Sequence, residues 1–214
     1  EIIRRNKLQE IINAGFNPYP APLYPVSHHS AAIKAEYTPE NAETFKSVCI
    51  AGRIMSIRDM GKAAFAVIQD AGGKIQVYVK RDDLCPGEDK AVYDVLFKKL
   101  LDIGDIIGIK GFVFITKTGE TSVHAQELTL LSKSLKPLPV VKEKEGETFD
   151  AVTDPEFRYR QRYADLIINP EIREVFRKRT RIIQIIREFY NNLGMLEVET
   201  PILQPIPGGA TARP

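Results

Sequence analysis

The sequence has few of the residues that build metal sites or disulfide frameworks. Its 214 residues include two cysteines, Cys49 and Cys85, and three histidines. The cysteines do not form a CxxC motif and the histidines are not clustered, so neither a structural zinc site nor a disulfide framework is expected. Two reduced cysteines are typical of a cytosolic protein, and we therefore expect a cytoplasmic location.

Long hydrophobic runs and a strong charge imbalance are also missing. No apolar run approaches the ~18 residues of a membrane span, so no membrane partner is expected. The amino terminus lacks a signal-peptide pattern. It also lacks an initiating methionine, so we expect residues before Glu1. A net charge of +2 does not demand a nucleic-acid partner, although a basic stripe can occur in a near-neutral chain.

The middle of the chain, residues 47–135, has the alternating hydrophobicity of β-strands. The predicted strands are Val48–Asp59, Ala64–Asp70, Lys74–Val79, Asp105–Lys117 and Thr121–Leu131, with a helix over Lys90–Leu101. Three strands, one helix and two strands is the order of an OB-fold, a five-stranded barrel. A β-sandwich is the alternative, which a single helix in this place disfavours. Gly52, Gly108 and Gly111 suit the bends that barrel closure requires.

The segments on either side of the barrel differ from it in composition. Residues 1–46 are predicted to form a helix over Glu1–Ala14, ended by Gly15, and then a proline-rich linker. Residues 136–154 are charged and contain proline, which is typical of an inter-domain linker.

Residues 155–214 are predicted to begin an α/β domain. Asn169 can cap a helix that has Pro170 at its first position, runs to about Asn192 and closes at Gly194. A strand over Met195–Leu203, which breaks at Pro201, follows it. One helix face is apolar and consists of Ile172, Val175, Phe176, Ile182, Ile183, Ile186, Phe189, Tyr190 and Leu193. The predicted fold is therefore mainly β with flanking helices, a barrel followed by a partial α/β domain.

An OB-fold binds oligonucleotides or sugars on the face of its second and third strands. Such a site needs an aromatic ring for stacking, polar groups for base edges and positive charge for phosphates. Phe65, Gln76 and Arg58 supply these groups on the predicted second, third and first strands. Alternation alone leaves open whether Phe65 is buried in the core and whether Gln76 is an ordinary solvated residue.

Two stretches give the sequence a specific resemblance. "FRYRQRYADLIINPEIREVF" and "GMLEVETPILQPIPGGATARP" resemble the start of the catalytic domain of class II lysyl-tRNA synthetases, the second stretch matching their motif 1. In the barrel, "GRIMSIRDMGKAAF" and "IQDAGGKIQVYV" resemble the anticodon-binding domain of the same family. The loop "IPGGATARP" resembles the lysine-specific version rather than the aspartyl or asparaginyl ones.

The resemblance implies roles for individual residues. Phe65 matches the aromatic residue that stacks on the central anticodon uridine, Gln76 the glutamine that reads its edge, and Arg58 an arginine at the same site. Glu120 matches a glutamate near the start of the fifth strand. Of the later positions, Pro201 closes motif 1, which builds a homodimer interface in the family, and Gly208 and Gly209 border the amino-acid pocket. The apolar helix face from Ile172 to Leu193 fits that interface, ordinary core packing, or both. The implied partners are tRNA-Lys with anticodon UUU or CUU, lysine and ATP.

The family's reaction, activation of lysine to lysyl-adenylate and transfer to tRNA, uses ATP, Mg²⁺ and motifs 2 and 3. Those motifs lie beyond Pro214, and no residue in this chain is identified as catalytic or as a metal ligand. "PGGATARP" also lacks the spacing of a Walker A loop. We therefore expect that this chain alone binds RNA. We do not expect it to bind ATP or Mg²⁺, to form lysyl-adenylate or to hydrolyse ATP.

Other functions remain open from the sequence. A stand-alone RNA-binding module would not need motif 1, and a synthetase paralogue that modifies a protein would lack the barrel. A barrel-bearing lysyl-transferase with a membrane part elsewhere also stays possible. The basic cluster of Arg177, Lys178, Arg179 and Arg181 fits either a solvated helix face or a contact with tRNA or an acidic chain.

Overall fold

The computed structural model describes residues 1–139, 142–144, 147–149 and 154–202, which fall into two units, Glu1–Leu138 and Pro139–Pro214. The helices are α1 Ile2–Asn13, α2 Ser30–Glu36, a 3₁₀ helix Pro39–Phe45, α3 Arg81–Leu84, a π-helix Val92–Leu100, α4 Pro155–Arg160, α5 Arg162–Ile168 and α6 Pro170–Asn192. The strands are β1 Val48–Asp59, β2 Ala63–Gln69, β3 Lys74–Lys80, β4 Ile106–Ile115, β5 Thr121–Ser132, β6 Lys142–Lys144 and β7 Glu147–Phe149.

The five long strands of the first unit close into a barrel. Its order is β1-β2-β3-β5-β4, and β4 pairs back to β1. All neighbours are antiparallel except β3 and β5, which are parallel. The π-helix lies between the third and fourth strands in the chain, with a backbone hydrogen bond from Leu101 to Leu96. The predicted OB-fold order is confirmed, and β1 has the predicted bounds.

Strand alternation determines which side chains fill the barrel. Ala64, Ala66 and Ile68 of β2 and Ile75, Val77 and Val79 of β3 are all at most 2% exposed. They pack with the buried face of the π-helix, formed by Tyr93, Leu96, Phe97 and Leu100, in one core. The residues between them on β2 and β3 therefore face outward.

Gly111 allows two strands to approach closely at an irregularity in the β4–β5 pairing. A Cβ atom at Gly111 would lie 1.8 Å from the carbonyl oxygen of His124, which is backbone and cannot move aside. At Gly108 the Tyr24 ring covers the backbone, and a Cβ atom would lie 2.3 Å from its Cζ. The two glycines are thus required for close packing, in addition to the bends expected from the sequence.

The region predicted as a proline-rich linker contains two helices, α2 and the 3₁₀ helix. Asp70 holds the start of α2, since its carboxylate accepts hydrogen bonds from the backbone nitrogen and the hydroxyl of Ser30. Ile33 of α2 is fully buried. A short helix is marginal alone, so these contacts with distant residues explain why local pattern did not predict it.

A buried lysine joins the end of β5 to the loop before β4. The Lys133 ammonium donates to Asp102, Asp105 and the Leu100 carbonyl at 2.6, 2.8 and 2.8 Å, and its side chain is fully buried. Lys7 of α1 pairs with the second oxygen of Asp102 at 2.7 Å. Two lysines and two aspartates thus balance one another and connect α1 to the barrel.

In the second unit, β6 and β7 form a two-stranded antiparallel pair within the predicted linker. Helices α4, α5 and α6 follow. Asn169 stands before α6 as predicted, but its side chain does not cap the helix. It donates instead to Asp165 at 2.7 Å, and Asp165 also accepts from Arg158 and Arg162. The buried carboxylate needs these partners, and that need outweighs capping.

The strand predicted over Met195–Leu203 is absent from the part of it that the structure describes. Met195–Thr200 form no strand, because no described residue pairs with them and a strand requires a hydrogen-bonded neighbour. Pro201 is exposed, and Leu203, Gly208 and Gly209 lie outside the described residues. Among the described residues, no helix is long and apolar enough to cross a membrane.

Candidate functional site

The outward face of β2 and β3 presents the residues singled out from the sequence. Phe65 pairs with Tyr78 across the two strands, and Val67 pairs with Gln76. All four are partly exposed, while their neighbours along each strand are buried. Phe65 therefore lies on the barrel surface, and the alternative that it is a core residue is wrong.

A groove of about 370 Å³ opens over this face. It is lined by Arg58, Phe65, Gln76, Tyr78, Phe114, Thr116, Lys117 and Thr118. Arg58 pairs with Phe65 in the β1–β2 register, and its guanidinium carbon lies 5.5 Å from the centre of the Phe65 ring. A cation, a ring and an amide thus share one concave surface, the set that splayed nucleic-acid bases require.

Ser122 of β5 orients the Gln76 amide. The Ser122 hydroxyl donates to Oε1 of Gln76 at 2.9 Å, and it is also 3.2 Å from the carbonyl oxygen of Glu120. The Gln76 nitrogen makes no hydrogen bond with the described residues. With its oxygen occupied, Gln76 presents a donor to any ligand in the groove, and a donor matches a carbonyl on a base edge.

An aromatic stripe continues from the groove across β5 and β4. We define it as Phe65, Tyr78, Phe114, His124 and Phe112. Tyr78 lies 5.0 Å from Phe65 and 6.1 Å from Phe114, and His124 stacks on Phe112 at 4.7 Å. Only the first three rings line the groove. These three partly exposed rings form a surface on which planar groups can stack.

His124 is fixed at the far end of this stripe by Asp83. Its Nε2 lies 3.0 Å from Oδ2 of Asp83. The hydrogen bond from Lys80 is the main reason why the pKa of Asp83 lies below its ordinary value, and His124 lowers it further. At this end of the stripe, the Asp83 carboxylate and Nε2 of His124 are therefore hydrogen-bonded within the protein.

Glu120 lies beside the groove rather than in its lining. Its carboxylate accepts a hydrogen bond from Lys34 of α2 at 3.0 Å, and both side chains are nearly half exposed. Three of the four barrel residues singled out from the sequence therefore line one groove. The fourth is at its margin, in an ion pair with a helix that the sequence did not predict.

Sequence reasoning missed the groove residues that β4 and the β4–β5 turn supply. Phe112 and Phe114 alternate with buried Val113, a signal that both rings face outward. Strand alternation does not reveal that β5 stands beside β3, with β4 on the far side of β5, because that order depends on the parallel β3–β5 pairing. Phe114, Thr116, Lys117 and Thr118 could therefore be predicted as exposed but not as neighbours of Phe65.

The described residues do not provide a metal site. None of their His, Cys, Asp and Glu side chains come together in groups of three or more that could hold an ion. The chemistry that this surface can perform is recognition by stacking, hydrogen bonding and charge.

Two known families match separate parts of the chain. Residues 48–131 match the family described as OB-fold nucleic acid binding domain. Residues 154–214 match the family described as tRNA synthetases class II (D, K and N). The first match contains β1 to β5 up to Leu131, and therefore the whole groove.

Similar proteins include lysine–tRNA ligases from several bacteria. The chain is 56% identical over 214 residues to the one from Porphyromonas gingivalis, 54% to that of Azobacteroides pseudotrichonymphae and 57% over 215 residues to that of Christiangramia forsetii. All of this chain is covered, but it spans only 37% to 42% of the length of these relatives. The chain is thus similar to OB-fold nucleic acid binding domains over residues 48–131, to class II (D, K and N) tRNA synthetases over residues 154–214, and to lysine–tRNA ligases over its whole length.

Proposed function

We propose that the chain recognises the anticodon of tRNA-Lys as part of a lysine–tRNA ligase, an ATP-dependent class II aminoacyl-tRNA synthetase. The observation that carries this proposal is the meeting of the Phe65 ring, the Gln76 amide and the Arg58 cation in one groove of an OB-fold barrel. The similarity to lysine–tRNA ligases supports the choice of tRNA among nucleic acids.

Each of the three groups has a separate task in this proposal. The central base of the anticodon leaves its stack and lies on the Phe65 ring. The Gln76 nitrogen, left without a described partner by the Ser122 hydrogen bond, donates to a carbonyl of uracil. Arg58 makes no ion pair with a described carboxylate, so its charge is available to the base or to a phosphate.

Glu120 is proposed as a further contact at the margin of the groove. In the free protein it is neutralised by Lys34. An exposed ion pair of this kind is weak, on the order of 0–1 kcal/mol. A base edge that donates hydrogen bonds can therefore share or replace Lys34 at little cost.

The apolar face of α6 is proposed to pack against a second copy of the chain. Ile182, Ile186 and Phe189 are 50–59% exposed among the described residues. A row of large apolar side chains in water is unfavourable, and burial between two copies removes that cost. The basic cluster of α6 (Arg177, Lys178, Arg179 and Arg181) contributes less to binding a partner. Two of its charges are already paired, Arg177 with Glu174 and Arg181 with Glu188.

In the complete reaction, lysine is activated with ATP and Mg²⁺ and is then esterified to the tRNA. Mg²⁺ would supply charge neutralisation for the phosphates. Among the described residues, no three or more His, Cys, Asp and Glu side chains come together to hold this ion. The contribution that we propose for this chain is to bind and orient the tRNA.

The test is binding of labelled anticodon stem-loops to the full chain, followed by fluorescence anisotropy. The stem-loops have the anticodon UUU or a central C, A or G, and titrations are run at about 50 mM and about 200 mM salt. We expect the UUU stem-loop to bind tightest and all affinities to fall with salt, since phosphate contacts release counterions. Equal affinity for all four stem-loops would refute anticodon recognition, and affinity independent of salt would refute binding through the phosphates.

A further inference from the structure

We propose that the π-helix between β3 and β4 is a positioning element for RNA recognition, and that Tyr93 and Lys98 are its positioning residues. Both hold the β1–β2 turn, residues 60–62, and through that turn they hold Arg58 in place before RNA arrives. Neither residue lines the groove. This inference rests on the proposed function and deepens it, because it names the contacts that order the Arg58 side of the site.

The β1–β2 turn projects from the barrel and has little support of its own. Every residue from 58 to 62 is exposed. Within the turn, the Gly61 backbone nitrogen donates to Oδ1 of Asp59 at 2.8 Å. On the β2 side, the Lys62 carbonyl accepts a hydrogen bond from the Arg81 backbone nitrogen at 2.9 Å. Exposed hydrogen bonds at the end of a hairpin open easily, so the β1 side of the turn needs a further contact.

Two side chains of the π-helix converge on one carbonyl of this turn. The Tyr93 hydroxyl donates to the Gly61 carbonyl oxygen at 3.0 Å, and the Lys98 ammonium donates to the same oxygen at 3.3 Å. Lys98 also lies 3.2 Å from Oδ2 of Asp59. Tyr93 is buried, so the core around its ring fixes the position of its hydroxyl. The helix thus fastens an exposed turn to the core of the barrel.

The winding of the π-helix brings these two side chains together. Tyr93 and Lys98 are five residues apart, which is the spacing of the hydrogen bonds in a π-helix. In an α-helix, with 3.6 residues per turn, side chains five residues apart point about 140° away from each other around the axis. π-helical turns are rare and occur frequently at functional sites. Here the winding allows both side chains to reach Gly61.

Arg58 is the groove residue that depends most on this turn. It directly precedes Asp59, it pairs with Phe65 in the β1–β2 register, and its guanidinium carbon lies 5.5 Å from the centre of the Phe65 ring. Ordering a long side chain and its loop on binding reduces affinity. Because Tyr93 and Lys98 hold the turn in the free protein, part of that ordering is complete before RNA binds.

The test compares two neighbouring lysines and two tyrosines of the full chain. Dissociation constants for the UUU stem-loop are measured for Lys98→Met, Tyr93→Phe and the matched controls Lys99→Met and Tyr37→Phe. Lys99 is exposed and makes no ion pair with a described residue, and Tyr37 packs against the same core without a hydrogen bond from its hydroxyl to a described residue. We expect Lys98→Met and Tyr93→Phe each to bind about 2- to 12-fold more weakly than its control.

Coupling to Arg58 separates a positioning role from a merely structural one. The same substitutions are made in an Arg58→Ala background, where Lys98→Met and Tyr93→Phe should cost less affinity, because the side chain that they position is gone. Tyr93→Phe keeps the buried ring, so it carries the test if Lys98→Met does not fold. Equal fold-losses in the two backgrounds would overturn the inference, as would binding equal to that of the controls.

Titrations of the parent chain with the UUU and UCU stem-loops distinguish this inference from the proposed function. If the parent chain prefers UUU while the Lys98 and Tyr93 variants bind as their controls do, the inference fails and the proposed function stands. If the parent chain binds both stem-loops equally, the proposed function fails and the inference fails with it. A preference for UUU together with coupling to Arg58 supports both.

Discussion

The Ser122 hydroxyl and the Gln76 amide oxygen are joined by a hydrogen bond of 2.9 Å, across the parallel pairing of β3 and β5. Ser122 is fully buried, whereas Gln76 lines the groove. A buried residue thus determines which end of an exposed amide faces the ligand. Uracil presents a carbonyl where cytosine presents an amino group, so the orientation bears directly on selectivity.

Ser122→Ala should reduce the preference for a central U over a central C more than it reduces affinity for UUU. Without the hydroxyl the amide can turn over and offer its oxygen to the amino group of cytosine. The ratio of dissociation constants for UUU and UCU stem-loops measures this. Ser132→Ala, at the other end of β5, is the matched control. A ratio equal to that of the parent chain would show that Ser122 does not orient Gln76.

Lys133→Met should lower the free energy of unfolding by about 3–5 kcal/mol, because it leaves buried Asp105 and its neighbour Asp102 without their common partner. Denaturant unfolding at neutral pH measures the change. Lys98→Met is the control, since Lys98 and Asp59 form a pair exposed to solvent. A loss no larger than that of Lys98→Met would contradict a role for the buried network.

Acid should weaken the same network. Burial alone would raise the pKa of Asp102, but the hydrogen bonds and charges of Lys133 and Lys7 outweigh it, and the pKa lies below its ordinary 3.8. Asp102 therefore stabilises the folded chain above that value, and the contribution is lost as pH falls through the lowered folded pKa. Unfolding free energies measured from about pH 5 to about pH 2 should fall less steeply for Asp102→Asn than for the parent chain. If the unfolding free energies of the two proteins fall equally with pH, Asp102 does not contribute to the acid sensitivity of the fold.

Ile186→Asp should prevent association through the α6 face, because a charge in the middle of an apolar interface loses its hydration. Sedimentation of the full chain should show a dimer, and that of the variant a monomer. Gln184→Asp, on the opposite side of the helix, should leave the dimer intact. A variant that still sediments as a dimer would place the interface elsewhere.

The barrel could be predicted from the sequence because its elements are defined by local pattern. Strand alternation separated Phe65 and Gln76 from their neighbours on the other strand face but left open which face is buried, whereas the order of strands and helix identified the fold. The predictions that failed depend on tertiary or side-chain contacts that the local pattern does not show. Helix α2 forms because Asp70 binds Ser30, and Asn169 does not cap α6 because buried Asp165 binds its side chain. Phe114 joins the groove only through the order of strands in the closed barrel.

The stacking role of Phe65 is the central claim, and Phe65→Ala tests it most directly. Val67→Ala is the matched control, since Val67 faces outward two residues along β2 but does not line the groove. We predict that Phe65→Ala weakens binding of the UUU stem-loop roughly 5- to 150-fold, the equivalent of about 1–3 kcal/mol. The melting temperature should stay near that of Val67→Ala. Unchanged affinity, or loss of the fold as expected for deletion of a core side chain, would contradict a stacking role for Phe65.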